Sequence, residues 1–221
     1  MHIVNHTNPL EPCLAVFLMW PMAGLLGKRE TLKIPGMKQI VEGNDFYLVG
    51  RDTKDAKEVR MQMLVDIENR QIAAEKGERT PLMMCPEGAT TNGKYLIQFK
   101  RGAFYSLRAV KPYVSKFWTL TGVLPVHGDS ISFLAYFNIL FMTGFCAVTY
   151  QEMPDFKPND YFWEHHWDGK EEKWVAFARA VRTVMAEAGG FKLSDLSLED
   201  KLDYKNLVRG KKDAKKTDKK E

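Results

Sequence analysis

The chain has 221 residues, a net charge of +4 and three cysteines. That length fits one domain with a real core, since chains of this size bury roughly 70% of their unfolded surface. The mild charge excess gives no general polyanion-binding face and argues against a nucleic-acid partner. It gathers instead in Lys211-Lys212-Asp213-Ala214-Lys215-Lys216-Thr217-Asp218-Lys219-Lys220, a run that reads as a solvated tail or a contact for anionic lipid. Cys13, Cys85 and Cys146 have neither metal-ligand nor disulfide-framework spacing. They read as buried free thiols in a reducing compartment. The start shows neither a signal peptide nor an Arg- and Ser-rich, acid-free transit sequence.

In chain order, residues 1–5 form a short, partly apolar segment that predicts a strand leading into His6. Residues 12–27 carry no charge, fall short of a bilayer span and are interrupted by Pro21. They predict a buried or membrane-facing helix. A strand is expected over 46–49. A helix follows over 53–76, with Val59, Met63, Ile67 and Ile72 near one face. Residues 81–85, bounded by Pro81 and Pro86, read as a buried strand, and 109–114 as the next. Residues 130–150 are again uncharged apart from polar groups. Asn138 and Gly144 break them into a helix followed by a strand, in preference to a span. Residues 163–167 read as a polar-aromatic loop. Residues 170–189 read as a helix with the stripe Trp174, Phe177, Val181, Val184 and Met185, stopped at Gly189-Gly190. Strands alternating with helices over short links predict a layered α/β domain. The expected division is a domain over 1–200 and a basic tail over 201–221.

Two local patterns carry chemistry. Asn5-His6-Thr7-Asn8-Pro9-Leu10-Glu11 sets a carboxylate five residues after a histidine. A carboxylate can fix an imidazole tautomer and steady the imidazolium while the other ring nitrogen takes a proton from a hydroxyl. Cys85-Pro86-Glu87-Gly88-Ala89-Thr90-Thr91-Asn92 holds a Pro-Glu-Gly turn whose glycine lets backbone approach a ligand closely. His165-His166 has no third ligand at matching spacing and reads as solvated.

Together these patterns resemble the glycerophospholipid acyltransferase family, in the branch of the lysophosphatidylcholine and larger glycerol-3-phosphate acyltransferases. Four motifs occur in order. The first is Asn5 to Glu11. The second ends Gly43-Asn44-Asp45-Phe46-Tyr47-Leu48-Val49-Gly50-Arg51. The third is Cys85 to Asn92, continuing through Leu96-Ile97-Gln98-Phe99-Lys100-Arg101-Gly102-Ala103-Phe104. The fourth is Val110-Lys111-Pro112-Tyr113-Val114. The likeness extends over roughly residues 3–200 and includes Val181-Arg182-Thr183-Val184-Met185-Ala186-Glu187-Ala188-Gly189-Gly190.

The resemblance implies an α/β fold, a mixed sheet flanked by helices with a tunnel for the acyl chain and an apolar surface toward membrane or partner. It implies acyl transfer from acyl-CoA to a hydroxyl of a glycerol-phosphate or lysophospholipid. In this scheme His6 is the base and Glu11 orients it. Arg51 grips the acceptor phosphate, Glu87, Gly88 and Thr91 organise the pocket, and Pro112 shapes it. Neither metal nor redox cofactor is required, because CoA arrives as part of the substrate. The implied partners are the acyl-CoA, a phosphate-bearing lipid acceptor, membrane lipid and membrane proteins, at the endoplasmic reticulum or a mitochondrial membrane.

Two departures stand out. Glu11 replaces the family's Asp, and Ala89 replaces a threonine. The extra methylene of Glu11 must be accommodated locally, and a misplacement of about 1 Å can cost on the order of 100-fold in rate. With only five residues before His6, the departures open a second reading. The chain would then be a catalytically weakened homologue serving as a structural subunit of a membrane complex, for example a mitochondrial one. The apolar surface is expected over residues 14–26 together with part of 130–145.

Overall fold

The computed structural model describes residues 1–8, 18, 23–29, 32, 37–50, 56–121, 133–208 and 210. The described residues build an α/β domain around a six-stranded mixed sheet, in the order β3-β2-β4-β1-β6-β7. Its strands are β1 (His2–Val4), β2 (Gly24–Lys28), β3 (Tyr47–Val49), β4 (Leu82–Met84), β6 (Lys111–Thr119) and β7 (Cys146–Glu152). Pairings from β3 through β6 are parallel, and β7 returns antiparallel along β6 from Tyr113↔Glu152 to Thr119↔Cys146. Parallel neighbours require crossover connections. Helix α1 (Met37–Gly43) lies between β2 and β3, and α2 (Ala56–Glu75) between β3 and β4. A small parallel pair, β5 (Tyr95–Leu96) with β8 (Lys192–Leu193), ties the segment after β4 to the C-terminal region.

The two central strands are buried along their whole lengths. Side chains alternate across the pleat, so successive residues enter different cores. Ile3, Leu82, Met84 and Val114 join Ile67 of α2 and Phe177, Val181 and Met185 of α5 (Lys173–Gly189) in the larger core. Val4, Met83 and Tyr113 join Ala23 and Leu25 in the smaller one. Phe104 is fully buried and meets Phe177 edge-on at 5.2 Å between ring centres. Each such ring contributes roughly 2–3 kcal/mol by burial. At the other end of the sheet, Asp45 accepts hydrogen bonds from Arg79 and lies 2.7 Å from the buried Arg70 of α2. Burial pushes the Asp45 carboxyl up, but the bonds from Arg79 and Arg70 outweigh this and hold it below the ordinary carboxylate range.

The layered α/β architecture matches the expectation, as do the strands over 1–5, 46–49 and 81–85 and the helix-then-strand division of 130–150: α3 (Phe133–Met142), then β7. Other local expectations are corrected. The predicted helix over 12–27 is strand at its described end, where β2 pairs on both sides with β3 and β4. A short apolar run does not distinguish strand from helix, and two-sided pairing decides it. Gly24 fits there because a Cβ would collide with the Asp45 carbonyl oxygen. Ala23 and Leu25 are buried, so this stretch of the expected apolar surface is core.

The predicted loop over 163–167 is helical up to His166, in α4 (Asp160–His166), with Trp167 as its extended C-cap. Asn159 caps it, its side chain accepting from the Phe162 N–H at 2.9 Å. The strand expected over 109–114 continues to Thr119, because β7 supplies a partner along the hairpin. Val184 of the predicted stripe is 41% exposed, whereas Ala178 and Ala186 are buried. Helix α6 (Leu198–Val208) runs across the expected boundary between a domain ending at 200 and a tail starting at 201. Cys13 and residues 211–221 lie outside the described residues.

Candidate active site

Strands β1 and β4 run parallel side by side, with Ile3 opposite Met84. Both motif-bearing segments therefore leave the sheet from the same edge, at the carboxyl ends of adjacent strands. Ligand sites of open α/β sheets gather at such an edge. Asn5 extends β1 beyond its last ladder residue. Its side-chain amide donates to the Ser115 carbonyl at 3.0 Å and its side-chain oxygen accepts the Ser115 N–H at 2.7 Å. This two-pronged bond imitates a ladder pairing and fixes where the next residue emerges.

That next residue is His6, and the third motif grips its backbone from both sides. Its N–H donates to Glu87 Oε1 at 2.8 Å. Its carbonyl accepts the Thr91 N–H at 2.6 Å and, more weakly, the Thr91 hydroxyl at 3.4 Å. Glu87 is fully buried, a costly place for a carboxylate unless it is well partnered. A charge-assisted bond to backbone is one such compensation. Arg182 of α5, also buried, lies in the same field. Burial pulls its guanidinium down from its ordinary value, while the charges of Asp195 and Glu87 oppose the fall.

Gly88 follows with φ +72°, in the left-handed region, and its N–H closes a turn onto the Cys85 carbonyl at 3.0 Å. A side chain there would also crowd Lys100 Cδ at 3.2 Å and Leu198 Cδ2 at 3.3 Å. The turn is held again by the Lys100 N–H, which donates to the Pro86 carbonyl at 2.8 Å.

Of the residues singled out from sequence, the fold brings His6, Glu87, Gly88 and Thr91 into one loop cluster. Pro112 sits in β6 opposite Ile3, at the sheet level of the middle of β1. It is three residues short of Ser115, the partner of Asn5, or roughly 10 Å along the strand. Glu11 and Arg51 lie outside the described residues.

A cavity of about 770 Å³ adjoins the third motif at Cys85, Pro86 and Gly88. Its walls are largely apolar: Leu26, Met63, Leu64, Ile67, Met84 and Phe99. Lys57, Arg60, Lys100 and Arg101 also line it, so apolar depth and cationic groups share one space. Residues 197–199 at the start of α6 contribute a further wall, and Lys201 of α6 donates to the Thr90 carbonyl. Sequence reasoning assigned no role to Lys100, Arg101, Ser115 or α6. Lys100 and Arg101 were visible in the extended third motif. The contribution of α6 depends on a contact between residues 111 positions apart.

Residues 1–119, more than half the chain, match the family described as Acyltransferase. The chain belongs to the acyltransferase family. Among its relatives, lysophosphatidylcholine acyltransferase 1 of Danio rerio is 30% identical over 196 residues, covering 84% of this chain and 34% of that protein. Lysophospholipid acyltransferase LPEAT1 of Arabidopsis thaliana is 28% identical over 208 residues, covering 94% and 49%. Lysophosphatidylcholine acyltransferase 2 of Homo sapiens is 26% identical over 179 residues, covering 81% and 30%. The chain spans between about a third and a half of the length of these relatives.

Beyond the loop cluster, where β6 ends and α3 leads into β7, Trp118, Leu120, Phe141, Met142 and Phe145 are exposed, Phe141 and Met142 to 76% and 84%. Trp118 and Phe145 meet edge-on at 6.1 Å. Among the described residues, no helix is long and apolar enough to cross a membrane, and no group of three or more His, Cys, Asp or Glu side chains is placed to hold a metal ion.

Proposed function

We propose that this acyltransferase-family chain transfers an acyl group from acyl-CoA to a free hydroxyl of a phosphate-bearing glycerolipid, with a lysophospholipid favoured over glycerol 3-phosphate. The observation that carries the reading is the grip of buried Glu87 and Thr91 on both sides of the His6 peptide. A histidine backbone held this closely by a second motif suits a group that must meet a substrate in one position. The names of the relatives favour the lysophospholipid acceptor.

In this mechanism the His6 imidazole removes the acceptor hydroxyl proton as the oxygen attacks the thioester carbonyl. The tetrahedral intermediate collapses, the carbon–sulfur bond breaks, and the CoA thiolate leaves and takes up the proton. Glu11 steadies the imidazolium, and Arg51 holds the acceptor phosphate through its planar fork. The cavity beside Gly88 receives the acyl chain against its apolar wall. The exposed edge around Trp118 and Phe141 faces the lipid from which the acceptor comes. Membrane association is part of the proposal, and the choice between endoplasmic reticulum and mitochondrial membrane is left to imaging of the tagged chain.

The test is release of free CoA when purified chain meets acyl-CoA and a panel of lysophospholipids and glycerol 3-phosphate. The expected result is acceptor-dependent release that His6→Ala abolishes; undiminished release in that variant overturns the mechanism. The reading as a structural subunit draws on the same exposed apolar edge. It is favoured instead if the chain purifies only with partner proteins and releases no CoA.

A further inference from the structure

A second depression, of about 430 Å³, lies beside the loop cluster and is lined by a different set of residues. Lys94 precedes β5, Lys116 belongs to β6 and Lys192 to β8, so three separate segments each bring a lysine to one pocket. No carboxylate lines it. All three lysines are exposed, and among the described residues none forms an ion pair. The pairing of β5 with β8 holds two of them together, the Lys192 N–H donating to the Lys94 carbonyl at 2.9 Å.

Tyr95 and Phe191 supply the aromatic part of the wall, and the buried residues Thr7 and Ser115, with Gly93 and Phe117, complete the lining on that side. Thr7 directly follows His6, and Gly93 and Lys94 directly follow the third motif, so the pocket abuts the candidate site.

The carboxyl end of α5, at Gly189-Gly190, also lines the pocket and would attract cations. A helix end carries only about half a negative unit charge, however, against three ammonium groups. Its last turn is also capped: Gly190, at φ +63°, and Phe191 donate back to the Glu187 and Ala186 carbonyls. The excess positive charge thus has no partner among the lining residues. Aromatic residues lining the same pocket as three lysines match a ligand that is both planar and phosphorylated.

We propose that the pocket formed by Lys94, Lys116, Lys192 and Tyr95 binds a phosphorylated nucleoside, its base against the aromatic wall and its phosphates on the lysines. The inference rests on the acyl-CoA reading, since the nucleotide end of CoA has this chemistry. It would divide the donor between two pockets, the acyl chain beside Gly88 and the nucleotide beside Thr7, with His6 on the loop between them.

The probe is adenosine 3′,5′-bisphosphate, titrated calorimetrically into the full chain. Inorganic phosphate, glycerol 3-phosphate and unphosphorylated adenosine serve as parallel arms. The expected result is saturable binding of the bisphosphate that Lys116→Ala and Lys192→Ala each weaken about tenfold, the loss typical of a charge-assisted contact. Tyr95→Ala should weaken it too, and added salt should weaken wild type more than the lysine variants. Because the lysines are exposed, unchanged thermal melting should accompany these losses.

Absence of binding, or affinity indifferent to both lysine changes, overturns the proposal. Glycerol 3-phosphate binding as tightly as the bisphosphate also overturns it, and makes the pocket a headgroup site. His6→Ala protein should bind the bisphosphate like wild type. Nucleotide binding without any acyl transfer therefore counts against the enzymatic reading alone, and acyl transfer without lysine-dependent nucleotide binding counts against this pocket alone.

Discussion

Two regions of the sheet break the usual rule of polar outside and apolar inside, in opposite directions. At the carboxyl ends of β1 and β4, polar groups are buried: Asn5 and Glu87 are fully inaccessible and Thr7 nearly so. Where α3 leads into β7 beside the end of β6, large apolar groups are exposed, Phe141 and Met142 above all. In the first region hydrogen bonds of His6, Asn5 and Thr91 bridge distant segments, and the interior is organised around polar satisfaction. In the second the β6–β7 backbone pairing is regular over seven residue pairs, yet Trp118 and Phe145 at its end, and Phe141 and Met142 of α3 beside it, stay largely exposed. A buried polar network suits a group held for chemistry, whereas an exposed apolar row suits contact with something outside the chain.

The sharpest way to break this contrast is His6→Ala. It should lower acyl transfer by about 100- to 10,000-fold, the range for a lost general base, with little change in melting temperature. Equal losses of activity and stability would mean that His6 is only structural.

Glu87→Ala should act on both. It leaves the His6 N–H without its acceptor in a buried setting, a cost of about 1–3 kcal/mol, and releases one side of the His6 grip. Urea unfolding and transfer assays on the same preparation check it, and full activity in this variant would detach Glu87 from the site.

Acidity should strain the buried region next. The His2 imidazole is pushed down to about 4, by burial first and then by cationic neighbours including Lys111, against the pull of Glu152. The unfolded chain therefore binds the extra proton first. Stability present above the ordinary value of 6.5 should fall as pH drops through about 4. The expected loss is on the order of 2–3 kcal/mol. His2→Phe should flatten this acid limb in urea midpoints measured from pH 7 to pH 4, and a limb of unchanged slope would assign the loss elsewhere.

The smallest stability effect belongs to the exposed edge. Phe141→Ser with Met142→Ser should shift folding by no more than about 0.5 kcal/mol, as is usual for surface positions. The same pair should reduce flotation with lysophospholipid-containing liposomes severalfold. Unchanged flotation would separate this edge from lipid.

The amino-acid sequence determined the family and the alternation of strands and helices, and it singled out His6, Glu87, Gly88 and Thr91, which the fold brings into one loop cluster. These depend on residue type and short spacing, which are written locally. It also placed the break between α3 and β7, because Gly144 and the change of pattern lie within a few residues of each other.

Tertiary structure decided what depends on partners far along the chain. Gly24 to Gly27 reads as helix until β3 and β4 pair on both sides of it. The role of Glu87 as acceptor for a backbone N–H joins positions 81 residues apart. The place of α6 beside Gly88, where 201 onward reads as tail, follows from contacts of Leu198 and Lys201 with the third motif. The convergence of Lys94, Lys116 and Lys192 has no local signature, because each lysine is unremarkable within its own segment. Only the sheet and the β5–β8 pair bring their charges to one pocket.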